Sequence, residues 1–518
     1  MPKQPNFVLF ITDQHRGDWL GCAGHPVVKT PHIDAIASKG TRFTDFHVAT
    51  QICMPNRASL LTGRFPSVHG LRNNGAILPR SANTFVDVLA AAGYRTASIG
   101  KSHLQPMTGI RLPEAEVDGQ PIKEAWKPDG ADYTAESGEA FEARGGLIET
   151  PYYGYQKVIA ASRHGPNSGG HYVRWLKETA ENWQDLLDPT NELPHNYSCP
   201  QAFRTPMPEE LYPTSFIRDQ AMAYLDEATV SDDPFFLFVS FPDPHHPFNP
   251  PGKYWDMYDP EDFEVSLPYE AHQNPTPPLK YLKGEFEAGK PPPTPQSAFM
   301  VENRHLQEAM ALTAGMITMV DDAIGAVIDR MQALGLEQDT VVLFTADHGD
   351  YMGDFNMLLK GSPPFRSVTN VPFIWSDPES PTSRVSGEMG STTDISATIL
   401  ERAGLTPFNG IQGQSLLDAI QGNAGPHKHL FCEFNDVFPR LGFSTPPTVR
   451  SLITPDHRLT VYLNEDWGEL YDLKADPKET CNLWNDPEHS DTQSDLMLKL
   501  THALIGQMDR SPATAFLA

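Results

Sequence analysis

A cysteine followed at fixed offsets by proline and arginine, Cys53-Met54-Pro55-Asn56-Arg57, leads into the run Leu61-Thr62-Gly63-Arg64. Chance is a poor account of it: ordinary residue usage gives roughly 0.02 matches to the five-residue pattern in a chain this long. Such a thiol is either a chemically active group or a buried Cys at the start of a helix, burial being the common fate of a free Cys. Two further pairs carry ligand chemistry. Asp13-Gln14 follows the apolar run Asn6–Thr12, and Asp347-His348-Gly349-Asp350 follows Thr340–Ala346. If both runs are strands of one parallel sheet, their carboxyl ends bring the pairs to the edge where such sheets bind ligands. Two carboxylates with Gln14 and His348 beside them then form a hard-cation site. Either pair alone reads as a helix cap or a turn.

The full C-x-P-x-R-x-x-x-L-T-G-R string resembles the signature of the type I sulfatases of the alkaline phosphatase-like superfamily. That resemblance implies that Cys53 is oxidised after translation to formylglycine, whose hydrated form attacks sulfur. It also implies one divalent ion held by Asp13, Gln14, Asp347, His348 and the modified residue 53. Calcium is the first expectation. Many sulfatases have Asn where His348 stands, and imidazole makes manganese the alternative, because nitrogen donors suit transition metals.

Gly100-Lys101-Ser102-His103 looks like the family's G-K-x-H element, which assigns Lys101 to the substrate sulfate and His103 to the formylglycine hydroxyl. An ammonium facing anionic oxygens stabilises the charge that develops on transfer. Without the resemblance, Lys101 would be a solvated side chain at a strand end. Pro244-His245-His246-Pro247-Phe248 resembles the H-x-P segment. By register His245 approaches the leaving-group oxygen, where imidazole can deliver a proton near neutral pH. The stretch 353–373 resembles the segment carrying a second sulfate-binding lysine, and Lys360 is the Lys within it, although Asn356-Met357-Leu358 replaces the usual Gly-Leu-Trp. Asn74 is either a donor to a substrate oxygen or a turn residue. Arg57 is expected to orient residue 53. A weaker echo, Glu469-Leu470-Tyr471-Asp472-Leu473, resembles the C-terminal subdomain of sulfatases.

These residues need a rigid frame. Short apolar runs at Asn6–Thr12, Arg95–Gly100, 235–241 and Thr340–Ala346 read as buried strands,. They alternate with helical patterns at 32–38, 84–92, 305–334 and 394–403. The expected fold is α/β: a large, mostly parallel sheet sandwiched by helices, alkaline phosphatase/sulfatase-like, over residues 1–424. Short strand-like runs at 451–454 and 459–463 point to a small C-terminal α+β subdomain over 425–518. Two polar, Pro- and Gly-rich stretches, 105–213 and 268–296, lack clear periodicity and read as functional loops or linkers.

With 66 acidic against 39 basic residues, the chain of 518 carries a formal charge of −27. Such a surface repels polyanions, which excludes nucleic acid and disfavours heavily sulfated polysaccharide as general partners. Five widely spaced cysteines without a C-x-x-C pair suggest a reducing compartment. No secretory or membrane-spanning segment is evident, so a cytoplasmic protein without a membrane partner is expected. The reading is a metal-dependent, arylsulfatase-like sulfuric ester hydrolase acting on a small-molecule sulfate ester and matured by a formylglycine-generating enzyme. The rivals are a phosphonate monoester or phosphodiester hydrolase, and a sulfate-ester binding protein with Cys53 unmodified. A homo-oligomer is left open.

Overall fold

The strand Asn6–Thr12 (β1) is buried at every position after its first, as a strand must be when both faces of its sheet are covered. The computed structural model describes residues 4–110, 112, 116–117, 120–292, 294 and 296–516. In it β1 is central to a nine-stranded sheet. The other strands are β2 (Thr41–His47), β3 (Arg95–Gly100), β4 (Lys157–Ser162), β5 (Gly169–Gly170), β6 (Phe235–Ser240), β7 (Thr340–Ala346), β8 (Phe373–Ser376) and β9 (Arg384–Ser391). Their order is β9-β2-β8-β7-β1-β6-β3-β4-β5. The contiguous block β7-β1-β6-β3-β4 is parallel, whereas β8 runs against both its neighbours.

Alternation along β1 divides the core. Phe7, Leu9 and Ile11 pack with Met54, Leu61, Leu89 and Ile399 on one face. Val8 and Phe10 pack with Leu225, Val320, Ile324 and Val327 on the other. The first face is covered by α2 (Cys53–Thr62), α3 (Phe85–Ala91) and α6 (Asp394–Arg402), the second by α1 (Pro31–Ala37), α4 (Pro213–Ala228) and α5 (Asn303–Ala333). Helix α5 is long and apolar enough to cross a membrane, but 83% of its most apolar window is buried inside the fold. It serves as a core helix.

Both stretches without clear periodicity contain regular structure. The stretch 105–213 includes β4 and β5 of the main sheet and the helices Gly138–Ala143, His171–Thr179 and Trp183–Leu187. The stretch 268–296 includes the helix Pro277–Glu287, which has proline in its first turn and buries Pro278, Leu279 and Leu282; there a missing N–H costs nothing.

After α6 the chain forms a four-stranded antiparallel sheet of β10 (Leu430–Asn435), β11 (Thr448–Ile453), β12 (His457–Tyr462) and β13 (Gly468–Asp472). Helix α7 (Ser490–Gly506) covers it through Leu496 and Leu500. Arg458 is buried against Glu469 at 2.6 Å, with Glu479 on its other side and the Tyr471 ring 4.8 Å away. This sheet is tied to the large domain just ahead of Cys53. Glu433 N donates to Ala49 O at 2.9 Å, and Cys432 Sγ donates to Gln51 Oε1 at 3.4 Å.

Candidate active site

Five adjacent parallel strands end at one edge of the sheet and deliver Asp347, Asp13, His245, Lys101 and His164 in the order of β7, β1, β6, β3 and β4. Asp13, Asp347 and His348 are fully buried, and their ligand atoms lie within 4.8 Å of one another. Asp13 Oδ2 takes the ammonium of Lys101, with Arg57 Nη2 at 3.6 Å. Burial alone would raise the Asp13 pKa, but the adjacent Lys101 ammonium, with His245 and the Arg57 guanidinium close by, holds it well below the usual carboxylate range. Asp13 Oδ1 has no hydrogen-bond partner among the described residues. A buried carboxylate oxygen left bare is what a cation ligand needs and what a purely structural carboxylate avoids.

The remaining ligands are pre-aimed. Gln14 Nε2 donates to Asp350 and to His246 Nδ1 at 3.3 Å, which turns its Oε1 toward the site. Asp350 is itself fixed by the N–H groups of Met352 at 2.7 Å and Leu359 at 2.9 Å. His348 Nδ1–H donates to Gly349 O at 2.8 Å, so Nε2 is the bare nitrogen, 3.5 Å from Asp13 Oδ1 and 3.7 Å from Asp347 Oδ1. Gly349 is required because a Cβ there would lie 1.9 Å from Ser367 O. Gln14 has φ 63° and His103 φ 58°. Left-handed backbone at residues with side chains is a cost that sites of function tolerate. Two carboxylates, an amide oxygen and an imidazole nitrogen fit a single divalent cation.

Cys53 opens α2 and is buried. Asn74 Nδ2 sits 3.4 Å from its Sγ, while Asn74 Oδ1 accepts from Met54 N at 3.2 Å. Asn74 therefore braces the first turn of α2 beside the thiol. Burial opposes ionisation of Cys53, but the nearby His103 and Lys360 pull its pKa well below the usual thiol range. An anion at a helix amino end is further favoured by the helix dipole.

Arg57, one turn along α2, ties the strand ends to the helix that carries residue 53. Its Nε donates to Asp347 Oδ2 at 2.7 Å, and its Nη1 to Lys101 O at 2.7 Å and Ser240 Oγ at 2.8 Å. The ends of β7, β3 and β6 are thereby held by one guanidinium. Lys360 Nζ donates to Gln14 Oε1 at 2.9 Å, His348 Nε2 at 3.0 Å and His245 Nε2 at 3.1 Å. Gln14 Oε1 and His348 Nε2 are donors that would hold a cation, and the Lys360 ammonium would then be free to meet an anion. His245 Nδ1–H donates to His246 O at 2.7 Å, which leaves its Nε2 to accept from Lys360. Burial, followed by the neighbouring His164, His246 and Lys360, lowers the His245 pKa well below the ordinary imidazole value.

The structure thus gathers Asp13, Gln14, Cys53, Arg57, Asn74, Lys101, His103, His245, Asp347, His348 and Lys360 into one site. Three residues join them that motif reading left outside. His164, at the end of β4, accepts from Lys101 Nζ at 2.6 Å. Glu136 accepts from the N–H groups of His103 and Leu104 at 2.8 Å and of Gln105 at 3.2 Å, and so moulds the loop after Lys101. Asp350 aims Gln14. For Asp350, the signal in the sequence was its place in the Asp-His-Gly-Asp run; for His164 it was a short strand-like run just before it.

A family model described as Sulfatase matches residues 5–405. The chain belongs to the sulfatase family. A second model, described as the C-terminal region of N-sulphoglucosamine sulphohydrolase, matches residues 365–505 of this sulfatase. An arylsulfatase of Clostridium perfringens is 27% identical over 94% of the chain and 92% of its own length. The ulvan-active sulfatase of Formosa agariphila is 29% identical over 97% and 81%. The crystal structure of the phosphonate monoester hydrolase of Agrobacterium radiobacter superposes with TM-score 0.79 at 23% identity, covering 99% of this sulfatase and 98% of that chain. That likeness is one of fold. Membership of the family makes this chain a sulfuric ester hydrolase.

Proposed function

We propose that this sulfatase hydrolyses small sulfate monoesters, arylsulfatase-like, through a formylglycine made from Cys53, with one divalent cation held by Asp13, Gln14, Asp347 and His348. The observation that carries the reading is the setting of Cys53 at the amino end of α2, buried, drawn toward ionisation by His103 and Lys360 and braced by Asn74. Hydrated formylglycine supplies two hydroxyls, one to attack sulfur and one to release sulfate without hydrolysis at sulfur itself. A cation held by these ligands supplies Lewis-acid stabilisation of negative charge. Calcium is favoured by the oxygen donors, and His348 keeps manganese in play.

The chain's own residues do the rest. Lys101 and Lys360 present ammonium groups to the sulfate oxygens, where charge accumulates during transfer. His245 Nε2 shares a hydrogen bond with Lys360 Nζ at 3.1 Å, so a proton lying between the two nitrogens is at hand for the departing oxygen. His103, whose Nδ1 has no partner among the described residues, stands beside residue 53 to remove the second hydroxyl's proton. The five cysteines are unpaired, which supports maturation and residence in the cytoplasm, where a formylglycine-generating enzyme would act on Cys53.

A second reading, a phosphonate monoester or phosphodiester hydrolase, is favoured by the Asp-Gln plus Asp-His ligand set, which resembles that of such enzymes. The Lys101–His103 element tilts the balance to sulfate. Peptide mass spectrometry across residues 53–64, combined with turnover of aryl sulfate, alkyl sulfate, phosphodiester and phosphonate esters by metal-analysed protein, tests the proposal. The expected result is an aldehyde at residue 53 and the highest kcat/KM on a sulfate ester. An unmodified Cys53 in active protein would overturn it.

A further inference from the structure

Helix α7 closes onto the C-terminal sheet through Leu496 and Leu500, yet much of its outer side is apolar as well. Leu498 is 56% exposed, Ile505 63%, and Met508, just past the helix end, 69%. Met497 and Leu504 flank them, each more than a third bare. With 3.6 residues per turn, the five side chains fall on one strip along the helix. Together they leave bare about 500 Å² of apolar surface, near the top of the range that the largest patch on a monomer reaches. Anchoring the helix does not require them, because Leu496 and Leu500 already do so.

The order of residues along the strip is specific. Ser494, Leu498, Thr501, Ile505 and Met508 follow one another at intervals of four, three, four and three, the seam of two helices packed at a shallow angle. Small and large side chains alternate over the first four. An antiparallel copy of the same helix sets Leu498 over Thr501 and Ile505 over Ser494, so each large side chain meets a small one. In that register Met508 arrives opposite the amino end of α7. A groove of about 520 Å³ lies there, with Pro487, Ser490, Ser494 and Met497 in its wall.

Charge follows the same symmetry. Lys499 is paired with Asp495 and Arg64 with Asp509. Asp491 in the first turn and Arg510 past the last one are exposed and have no ion-pair partner among the described residues. Turning a second copy end for end brings each of these charges towards the other. We propose that the outer face of α7 is the interface of a two-fold symmetric dimer, its occupant a second copy of this chain. Covering the strip on both copies removes about 1,000 Å² from water, what a specific interface needs, before the polar rim is counted. A self-complementary patch also closes on itself, so assembly stops at two. The formal charge of −27 on each copy opposes association, and the dimer should tighten as salt screens that repulsion.

Sedimentation velocity of the full chain at micromolar concentration, in low and in high salt, tests the proposal. The expected species is a dimer that strengthens with salt. Ile505→Asp should raise its dissociation constant at least about 30-fold, the scale of a central interface side chain, with the circular dichroism unchanged. Asp491→Arg and Arg510→Asp should each weaken the dimer about two- to fivefold, and the double variant should recover the loss. Register is read from Ser494→Cys combined with Ile505→Cys. On one helix these thiols stand about 16 Å apart, too far to join within a chain. Mild oxidation should link copies in the double variant far more than in either single one. A wild-type monomer, a dimer unmoved by Ile505→Asp, or single-cysteine variants that link as readily as the double one would overturn the assignment. So would a monomer that binds phosphatidylcholine vesicles through Ile505, which would give the face to a lipid surface.

Discussion

The imidazole of His164 lies flat against that of His245, with ring centres 3.5 Å apart and planes 8° from parallel. The two side chains follow different strands, β4 and β6, so the stack locks one strand end against another across β3. Burial and the adjacent Lys101 charge hold the His164 pKa down to about 3. Its Nε2 therefore stays bare near neutral pH and accepts from the Lys101 ammonium at 2.6 Å. His164 thus positions both His245 and Lys101.

His164→Ala should accordingly lower kcat/KM by about 10- to 100-fold, the scale of losing a hydrogen bond to a charged group. His164→Gln, which returns an acceptor oxygen near the same place, should recover part of the loss. Steady-state kinetics on an aryl sulfate measures both. If Ala and Gln proved equally impaired, the ring stack rather than the hydrogen bond to Lys101 would be the source of the effect.

Glu136 offers a similar handle on the loop that carries His103. Its carboxylate accepts three consecutive backbone N–H groups and the Tyr152 hydroxyl at 2.6 Å. Glu136→Ala strands buried N–H donors, each costing about 1–3 kcal/mol. A lower Tm together with a lower kcat is expected, while the aldehyde content at residue 53 stays unchanged. An unaltered kcat would mean that His103 keeps its place without this support.

Much of this site was legible because its residues sit directly after strands whose apolar runs are unbroken. Asn6–Thr12 and Thr340–Ala346 begin and end where their hydrophobicity does, and Asp13 and Asp347 follow at once. His164 was harder to see. Its strand, Lys157–Ser162, has small residues and lies near the edge of the sheet, with partly exposed positions, so its pattern merges with the polar sequence around it. Glu136 stands in a region without periodicity, and its role arises only when the chain folds back on residues 103–105. Arg57 was legible as important, but its partners are strand-end groups brought together by the tertiary fold.

The junction between the large domain and the C-terminal sheet should be sensitive to pH. His427, just ahead of β10, donates from Nε2 to Asp394 Oδ2 at 2.7 Å. Burial would lower the His427 pKa, but the hydrogen bond and charge of Asp394 outweigh it and raise the value above 6.5. A raised folded-state pKa gives stability that is fully present below the unfolded value, about 6.5, and lost as pH climbs through the folded one. The stability difference between wild type and His427→Gln, taken from denaturant unfolding, should therefore shrink from pH 6 towards alkaline pH. A difference that is constant or grows with pH would show that His427 contributes through packing alone.

Lys101 separates the two enzymatic readings most sharply. Its ammonium is fully buried, bound to Asp13 and to His164, and so is held in one place before any substrate arrives. Pre-organised charge of this kind is worth most in the transition state, and losing such a contact typically costs about 10²–10³-fold in rate. Lys101→Ala should lower kcat/KM on sulfate monoesters on that scale. A sulfate monoester offers three non-bridging oxygens to the two lysines and the cation, whereas a phosphodiester offers two and can forgo one contact. The loss should therefore be greater on the sulfate than on the diester. Asp13 would also lose its buried counter-charge, so metal content is measured alongside. Equal metal content with a larger loss on the diester would transfer the principal activity to phosphodiester or phosphonate hydrolysis.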